Sequence, residues 1–255
     1  MALNRRSLLF SALALPVIST IAKAALPVDD GIDHIGMLVY PGFTALDFVG
    51  PHHFLGGMPN AKVHVVTTQG DLSPVPSDLG LMVEPTTTMA DCPADLTVLF
   101  VPGGTGGTIA AARDPEVLDF VADRAARARY ITSVCTGSLV LGAAGALRGK
   151  RATSHWATLE TLARFGATPV ADRIVRDGNV ITGAGVSAGL DFGITLAEEL
   201  RGRTYAEAGV LISEYAPEPP IDGGTLATAR PEVAALLERN LATFVAEANT
   251  LDVLQ

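Results

Sequence analysis

Cysteine is scarce in this chain: Cys92 and Cys135 are the only two in 255 residues. That scarcity rules out a disulfide-stapled scaffold and a cysteine-rich zinc site. Histidine offers no substitute. Five are present, and the adjacent pair His52-His53 lacks the i, i+4 spacing that puts two ligands on one helix face, so no metal is expected. Aromatic residues make up only 5% against an apolar fraction of 48%, which points to a core of Val, Leu, Ile and Ala. Beyond the first 24 residues no basic block occurs, and the net charge is -9. No nucleic-acid partner is therefore expected, because a surface that tracks phosphates needs such a block. No Gly-Lys-Ser/Thr follows a glycine-rich turn, which argues against a phosphate loop. The stretch from Ser7 to Ala22 holds 16 residues including Pro16, short of the roughly 20 that span a bilayer. Internal repeats and low-complexity tracts are also missing.

What is present begins with that stretch. Arg5-Arg6-Ser7-Leu8-Leu9 opens it and Ala22-Lys23-Ala24 resembles a cleavage site, the three-part layout of a bacterial export signal. Twin arginines point to the Tat route and so to the periplasm. Residues 1–24 read as this signal, and residues 25–255 as a single α/β domain with a C-terminal helical tail. The alternative is an uncleaved anchor. Cleavage removes Arg5, Arg6 and Lys23 and no acid, taking the balance from -9 to -12, and no stable membrane insertion is expected afterwards. In an oxidising compartment Cys92 and Cys135 are either free or joined to each other, and the second state would silence a thiol nucleophile.

Downstream, apolar strand-like runs at Asp33–Tyr40, Lys62–Thr68, Leu96–Val101 and Ile131–Val134 alternate with helical stretches at Ala45–Phe54, Asp114–Arg127 and Thr136–Gly145. Pro51 must interrupt the first helix or start a new turn. A further strand is expected from Arg151 to Ser154, then a helix from Ala157 to Phe165. Gly70–Thr88, rich in proline, reads as a meander or short hairpin. Ile174–Thr182 reads as a hairpin turning at Asp177-Gly178-Asn179. Helices at Leu190–Leu200 and Tyr205–Tyr215 precede a terminal helix from Arg230 to Asn249, placed against the sheet or a second subunit. This alternation predicts an open, mainly parallel sheet in a three-layer α/β sandwich of flavodoxin-like form. Reactive groups in such sheets lie beyond the carboxyl ends of the strands.

Cys135 falls at such an end, where Ile131–Val134 must turn abruptly into a small-residue helix. That is the geometry of a nucleophile elbow, with cysteine in place of serine, and helix N-terminal amides there favour a thiolate. Gly103-Gly104 follows the central strand and can offer bare amides, with that of Thr136, to a developing negative charge. Asp47 lies between Leu46 and Phe48, so burial would raise its pKa and suit it to passing a proton; a helix-capping role is the alternative. His155, in Thr153-Ser154-His155-Trp156, either helps ionise Cys135 or packs as a structural histidine against the only tryptophan. Asp191 is expected to cap or order the helix that begins beside it.

Together these residues resemble the ThiJ/PfpI superfamily, whose fold is related to class I glutamine amidotransferases. The resemblance rests on Val101-Pro102-Gly103-Gly104, Val134-Cys135-Thr136-Gly137-Ser138, Arg151-Ala152-Thr153-Ser154-His155-Trp156, Asp177-Gly178-Asn179-Val180-Ile181-Thr182 and Ala188-Gly189-Leu190-Asp191, and runs from about Ile32 to Tyr215. Peptidase-like members carry histidine after the cysteine, and glyoxalase-like members carry a glutamate after the first strand. Here those positions hold Thr136 and Asp47, and Leu46-Asp47-Phe48-Val49-Gly50-Pro51 with Cys135-Thr136-Gly137 looks like the isonitrile hydratase branch. The resemblance implies a small-molecule substrate, Cys135, Asp47 and Thr136 as catalytic residues, Gly103, Gly104 and His155 around the substrate, no redox cofactor, and a homodimer. Another activity on this scaffold (glyoxalase, deglycase or amidase) and a non-catalytic periplasmic sensor are the competing readings.

Overall fold

The computed structural model describes residues 31–254. Strand β1, Asp33–Val39, becomes wholly buried from Ile35 onward and ends at the Pro41-Gly42 turn. Helix α1, Ala45–Leu55, follows, and strand β2, Ala61–Thr67, returns parallel to β1. Pro51 lies inside α1 without breaking it. The ring removes one helical hydrogen bond, to the Asp47 carbonyl, and that carbonyl faces the backbone of Gly189. The proline-rich segment forms a hairpin of β3, Val75–Pro76, and β4, Met82–Val83, and then edge strand β5, Thr87–Thr88.

Strand β6, Val98–Val101, is buried at all four positions, as its uninterrupted apolar sequence requires of a strand covered on both faces. A short helix α2, Gly106–Ala111, comes next and was not expected, because its glycine-rich start carries no helical signal. Helix α3, Pro115–Ala125, starts on an Asp114 cap that accepts the Glu116 amide. Strand β7, Tyr130–Val134, leads through Cys135 into helix α4, Gly137–Ala143.

The expected strand from Arg151 to Ser154 requires correction. Only Arg151–Ala152 is extended (β8), and it pairs with β9, Thr168–Pro169, in a small separate sheet. The expected helix from Ala157 is instead two 3-10 turns, Trp156–Thr158 and Glu160–Phe165. Strands β10, Ile174–Asp177, and β11, Val180–Gly183, form the hairpin predicted at Asp177-Gly178. Helices α5, Ala188–Arg201, and α6, Arg203–Ile212, follow. Helix α7, Pro231–Ala248, lies over the Trp156–Thr158 turn and α2 rather than on the sheet.

The main sheet runs β10-β11-β7-β6-β1-β2-β5 and is parallel except for β10. Helices α1, α5 and α6 cover one face, and α2, α3 and α4 with the 3-10 turns cover the other, giving the three-layer α/β sandwich. Phe192 of α5 meets Phe100 of β6 at a ring-centroid distance of 5.6 Å, which ties the first helical layer to the central strand. With β6 between β1 and β7, the carboxyl ends of these three strands open side by side, and the site assembles there. Among the described residues, no helix is long and apolar enough to cross a membrane.

Close approach fixes one residue at this junction. A Cβ on Gly137 would come within 2.2 Å of the Val101 carbonyl oxygen and 2.7 Å of that of Pro102. The first turn of α4 therefore rests directly on the end of β6. Gly137→Ala is expected to destabilise the fold by about 2 kcal/mol or more, since backbone on both sides must move. Urea unfolding monitored by circular dichroism measures the loss.

Candidate active site

Cys135 has φ of 58°, a left-handed conformation that a side-chain-bearing residue occupies only under constraint. The constraint is visible on both backbone groups. Its amide donates to the carbonyls of Gly183 (3.0 Å) and Ala184 (2.7 Å), while its carbonyl accepts the hydroxyls of Ser138 (3.1 Å) and Ser154 (3.3 Å). The abrupt turn expected of a nucleophile elbow is present, held by Ser138 of α4, by Ser154 after β8 and by the end of β11.

Asp47 reaches the same place from the first turn of α1. The chain after β1 is stitched to the chain after β6: the Thr44 amide donates to the Gly103 carbonyl (2.7 Å), and Phe43 bridges to Gly104. Asp47 is 0% exposed, and its Oδ2 accepts the Gly103 amide at 2.9 Å. Oδ1 has no hydrogen-bond partner of good geometry, and the Cys135 thiol lies against the same carboxyl. Burial pushes the Asp47 pKa from 3.8 up to about 7; the Gly103 amide and the thiol oppose that rise, and the Asp78 charge adds to it. The carboxyl is thus poised to take or give a proton near neutrality.

The Thr136 amide at the start of α4 favours the thiolate as expected, but burial outweighs it. Burial drives the Cys135 thiol well above its ordinary pKa, and the nearby Asp47 charge adds to the rise. The Thr136 amide and hydroxyl pull the other way without compensating. Cys135 therefore rests as a thiol, with a carboxyl beside it able to accept its proton.

Thr136 and the two glycines interlock. The Thr136 hydroxyl donates to the Gly104 carbonyl (2.6 Å) and accepts the Gly104 amide (2.9 Å). The amides expected to face a reacting atom are thus engaged: Gly103 with Asp47, and Gly104 with Thr136. A Cβ on Gly103 would lie 2.6 Å from the Thr136 nitrogen and 2.7 Å from Asp47 Oδ2, so only glycine lets these elements meet.

His155 is not brought to the thiol by a hydrogen bond. Its Nδ1 accepts the Ala157 amide (3.3 Å), its ring packs against Trp156, and burial lowers its pKa. Asp191 does not cap α5. Its carboxyl takes Arg173 and, at 2.9 Å, the Tyr215 hydroxyl. His52 stacks on Phe48, and His53 bonds Ser213, so the pair is split between two neighbours. Among the described residues, no three His, Cys, Asp or Glu side chains cluster to hold a metal ion. Cys92 precedes β6 and Cys135 follows the parallel β7, which places them at opposite ends of the sheet, and both are free and buried. Two residues of the site escaped the sequence reading, Tyr40 at the end of β1 and Thr108 in α2. Both are buried hydroxyls in series with Thr136, and only Tyr40, a polar aromatic closing an apolar strand, left a trace in the sequence.

Residues 33–199 match the DJ-1/PfpI family. The chain belongs to that family. Among curated DJ-1/PfpI relatives, the isonitrile hydratase of Pseudomonas putida is 53% identical over 196 residues, 76% of this chain and 84% of that protein. Among solved structures, a ThiJ/PfpI family protein from Pseudomonas syringae is 55% identical and superposes with a TM-score of 0.85, covering 87% of this chain and 90% of that one. Drosophila melanogaster DJ-1beta covers 73% of this chain and all of its own at 24% identity, with a TM-score of 0.64, and shows the shared fold alone. The export signal expected at residues 1–24 lies outside the described residues.

Proposed function

We propose that this DJ-1/PfpI protein hydrates isonitriles to N-substituted formamides through a covalent intermediate on Cys135. The observation that carries the reading is the 53% identity to the Pseudomonas putida isonitrile hydratase across most of both chains. The site geometry supplies a matching chemistry. Asp47 takes the Cys135 proton as sulfur attacks the terminal isonitrile carbon, then delivers it to that carbon, so S–H adds across the carbon and a thioimidate forms. Water adds to the C=N carbon, one proton passing to nitrogen. The tetrahedral adduct expels sulfur, which recovers its proton by way of Asp47 as the formyl C=O forms. The sum is one isonitrile and one water in, one formamide out, with no change needed in any cofactor. Thr136 holds the Gly104 turn by its amide and carbonyl, and the Gly103 amide steadies the Asp47 carboxylate when it ionises.

The test is direct. Reduced protein incubated with an aliphatic isonitrile is expected to yield the corresponding formamide, identified by mass and NMR. Absence of formamide from folded protein with an alkylatable Cys135 defeats the reading, and turnover of methylglyoxal instead would move it to a glyoxalase. The twin-arginine leader supports a periplasmic location, to be checked by cell fractionation. The family resemblance supports a homodimer, to be checked by sedimentation.

The raised Asp47 also makes stability pH-dependent with a definite sign. Between pH 4 and 7 the folded chain holds a proton that the unfolded chain releases, so stability falls as pH rises through this window and levels off above it. A shift of this size corresponds to about 4 kcal/mol at most. Urea midpoints at pH 5 and 8 should converge in Asp47→Asn relative to the unaltered protein; an equal pH slope in both would contradict the assignment.

A further inference from the structure

Three hydroxyls, all 2% exposed or less, stand in series behind the candidate nucleophile: Tyr40, Thr108 and Thr136. The Tyr40 hydroxyl donates to the Pro102 carbonyl (2.6 Å) and lies 3.0 Å from the Thr108 hydroxyl. Thr108 in turn lies 3.0 Å from Thr136, whose hydroxyl donates to the Gly104 carbonyl (2.6 Å). Both ends of the series are carbonyl oxygens, which only accept. Four oxygen–oxygen contacts thus share three hydroxyl protons, and at any instant at least one contact lacks its proton. The series has two settings. In one, Thr136 points its proton at Gly104 and Thr108 points at Tyr40. In the other, Thr108 points at Thr136, and the Thr136 proton leaves the Gly104 carbonyl for the neighbouring Cys135 sulfur while its oxygen remains doubly held by Thr108 and the Gly104 amide.

We infer that Tyr40 and Thr108 are positioning residues that set the direction of the Thr136 hydroxyl, turning it to the Cys135 sulfur as negative charge develops there. The hydroxyls rotate, and no proton changes owner. A neutral thiol in a buried site gains little from an extra donor, whereas a thiolate gains a charge-assisted bond, so the second setting is selected as sulfur ionises. The other group against the sulfur is Asp47, which faces Tyr40 electrostatically as well, and burial holds the Tyr40 hydroxyl protonated throughout. The inference rests on Cys135 being the nucleophile.

The experiment reads the thiol and the turnover separately. Alkylation of Cys135 by iodoacetamide across pH, with peptide mass mapping to separate it from Cys92, gives the midpoint of thiol ionisation without any isonitrile. Thr108→Val is expected to raise that midpoint by about one pH unit and to lower kcat about tenfold with KM unchanged, the worth of one charge-assisted hydrogen bond. Thr108→Ser, which keeps the hydroxyl, should restore both to within about twofold, and Tyr40→Phe should shift them in the same direction by less. A merely structural hydroxyl would change melting and leave the midpoint in place. Folded Thr108→Val and Tyr40→Phe proteins with unaltered midpoints would overturn the inference; should Thr108→Val lose cooperative melting, Tyr40→Phe carries the test alone. A protein that alkylates with the expected shifts and hydrates no isonitrile would remove the proposed function and leave the relay standing.

Discussion

Cys135→Ala is expected to reduce formamide formation to the uncatalysed background, a loss of about 10⁴-fold or more, because nothing else in the site can bond to the isonitrile carbon. Cys135→Ser tests the same point with less change of shape. Its hydroxyl would face the same carboxyl, yet it is far harder to ionise than a thiol in an equally buried place, so a loss of about 10³-fold or more is expected there. The backbone setting makes alanine a fair test of chemistry. The amide and carbonyl of residue 135 keep their four partners whatever the side chain, so circular dichroism and melting should change little while turnover vanishes. Substantial formamide from either variant would mean that Cys135 is not the nucleophile.

Asp47→Asn is expected to cost about 10²- to 10⁴-fold in kcat, the range for loss of a positioned acid–base group. The amide can still accept the Gly103 N–H but can neither take the thiol proton nor hand it to carbon. On the proposed function, the unaltered protein should show an acid limb in kcat/KM with its midpoint near pH 7, since below it both the carboxyl and the thiol are protonated and no base remains. Activity should therefore fall as pH drops through 7, about tenfold per unit once well below it. A profile flat from pH 5 to 8 would separate Asp47 from the proton transfer.

Much of this was legible in the sequence, for identifiable reasons. The apolar run Leu96–Val101 fits a strand covered on both faces and its alternation with helical stretches fits a parallel sheet, so the sheet and the place of Cys135 at its end followed from pattern. Asp47 was legible because two large apolar neighbours flank a lone acid. Three things were not. The thiol's protonation state depends on how much burial outweighs one amide and one hydroxyl, a balance of opposing contributions that motifs do not display. The commitment of the Gly103 and Gly104 amides depends on Asp47 and Thr136 arriving from segments far apart in the chain. The segment Arg151–Ser154 reads as a full strand, but only Arg151–Ala152 is extended, and its partner is the equally short Thr168–Pro169 outside the main sheet.

The site is assembled from the ends of β1, β6 and β7, and its elbow amide is secured by carbonyls at and just beyond the end of β11. None of these strands is joined to its sheet neighbour by a tight turn except β11 to β10. Each pairing must therefore close a long stretch of chain before it gains anything, which is the slow class of folding event. Partly folded states with one strand unplaced have no elbow, no seat for the Asp47 carboxylate, or neither. On dilution from denaturant, recovery of turnover should accordingly trail recovery of helical signal, making catalysis a clock for the last strand to dock.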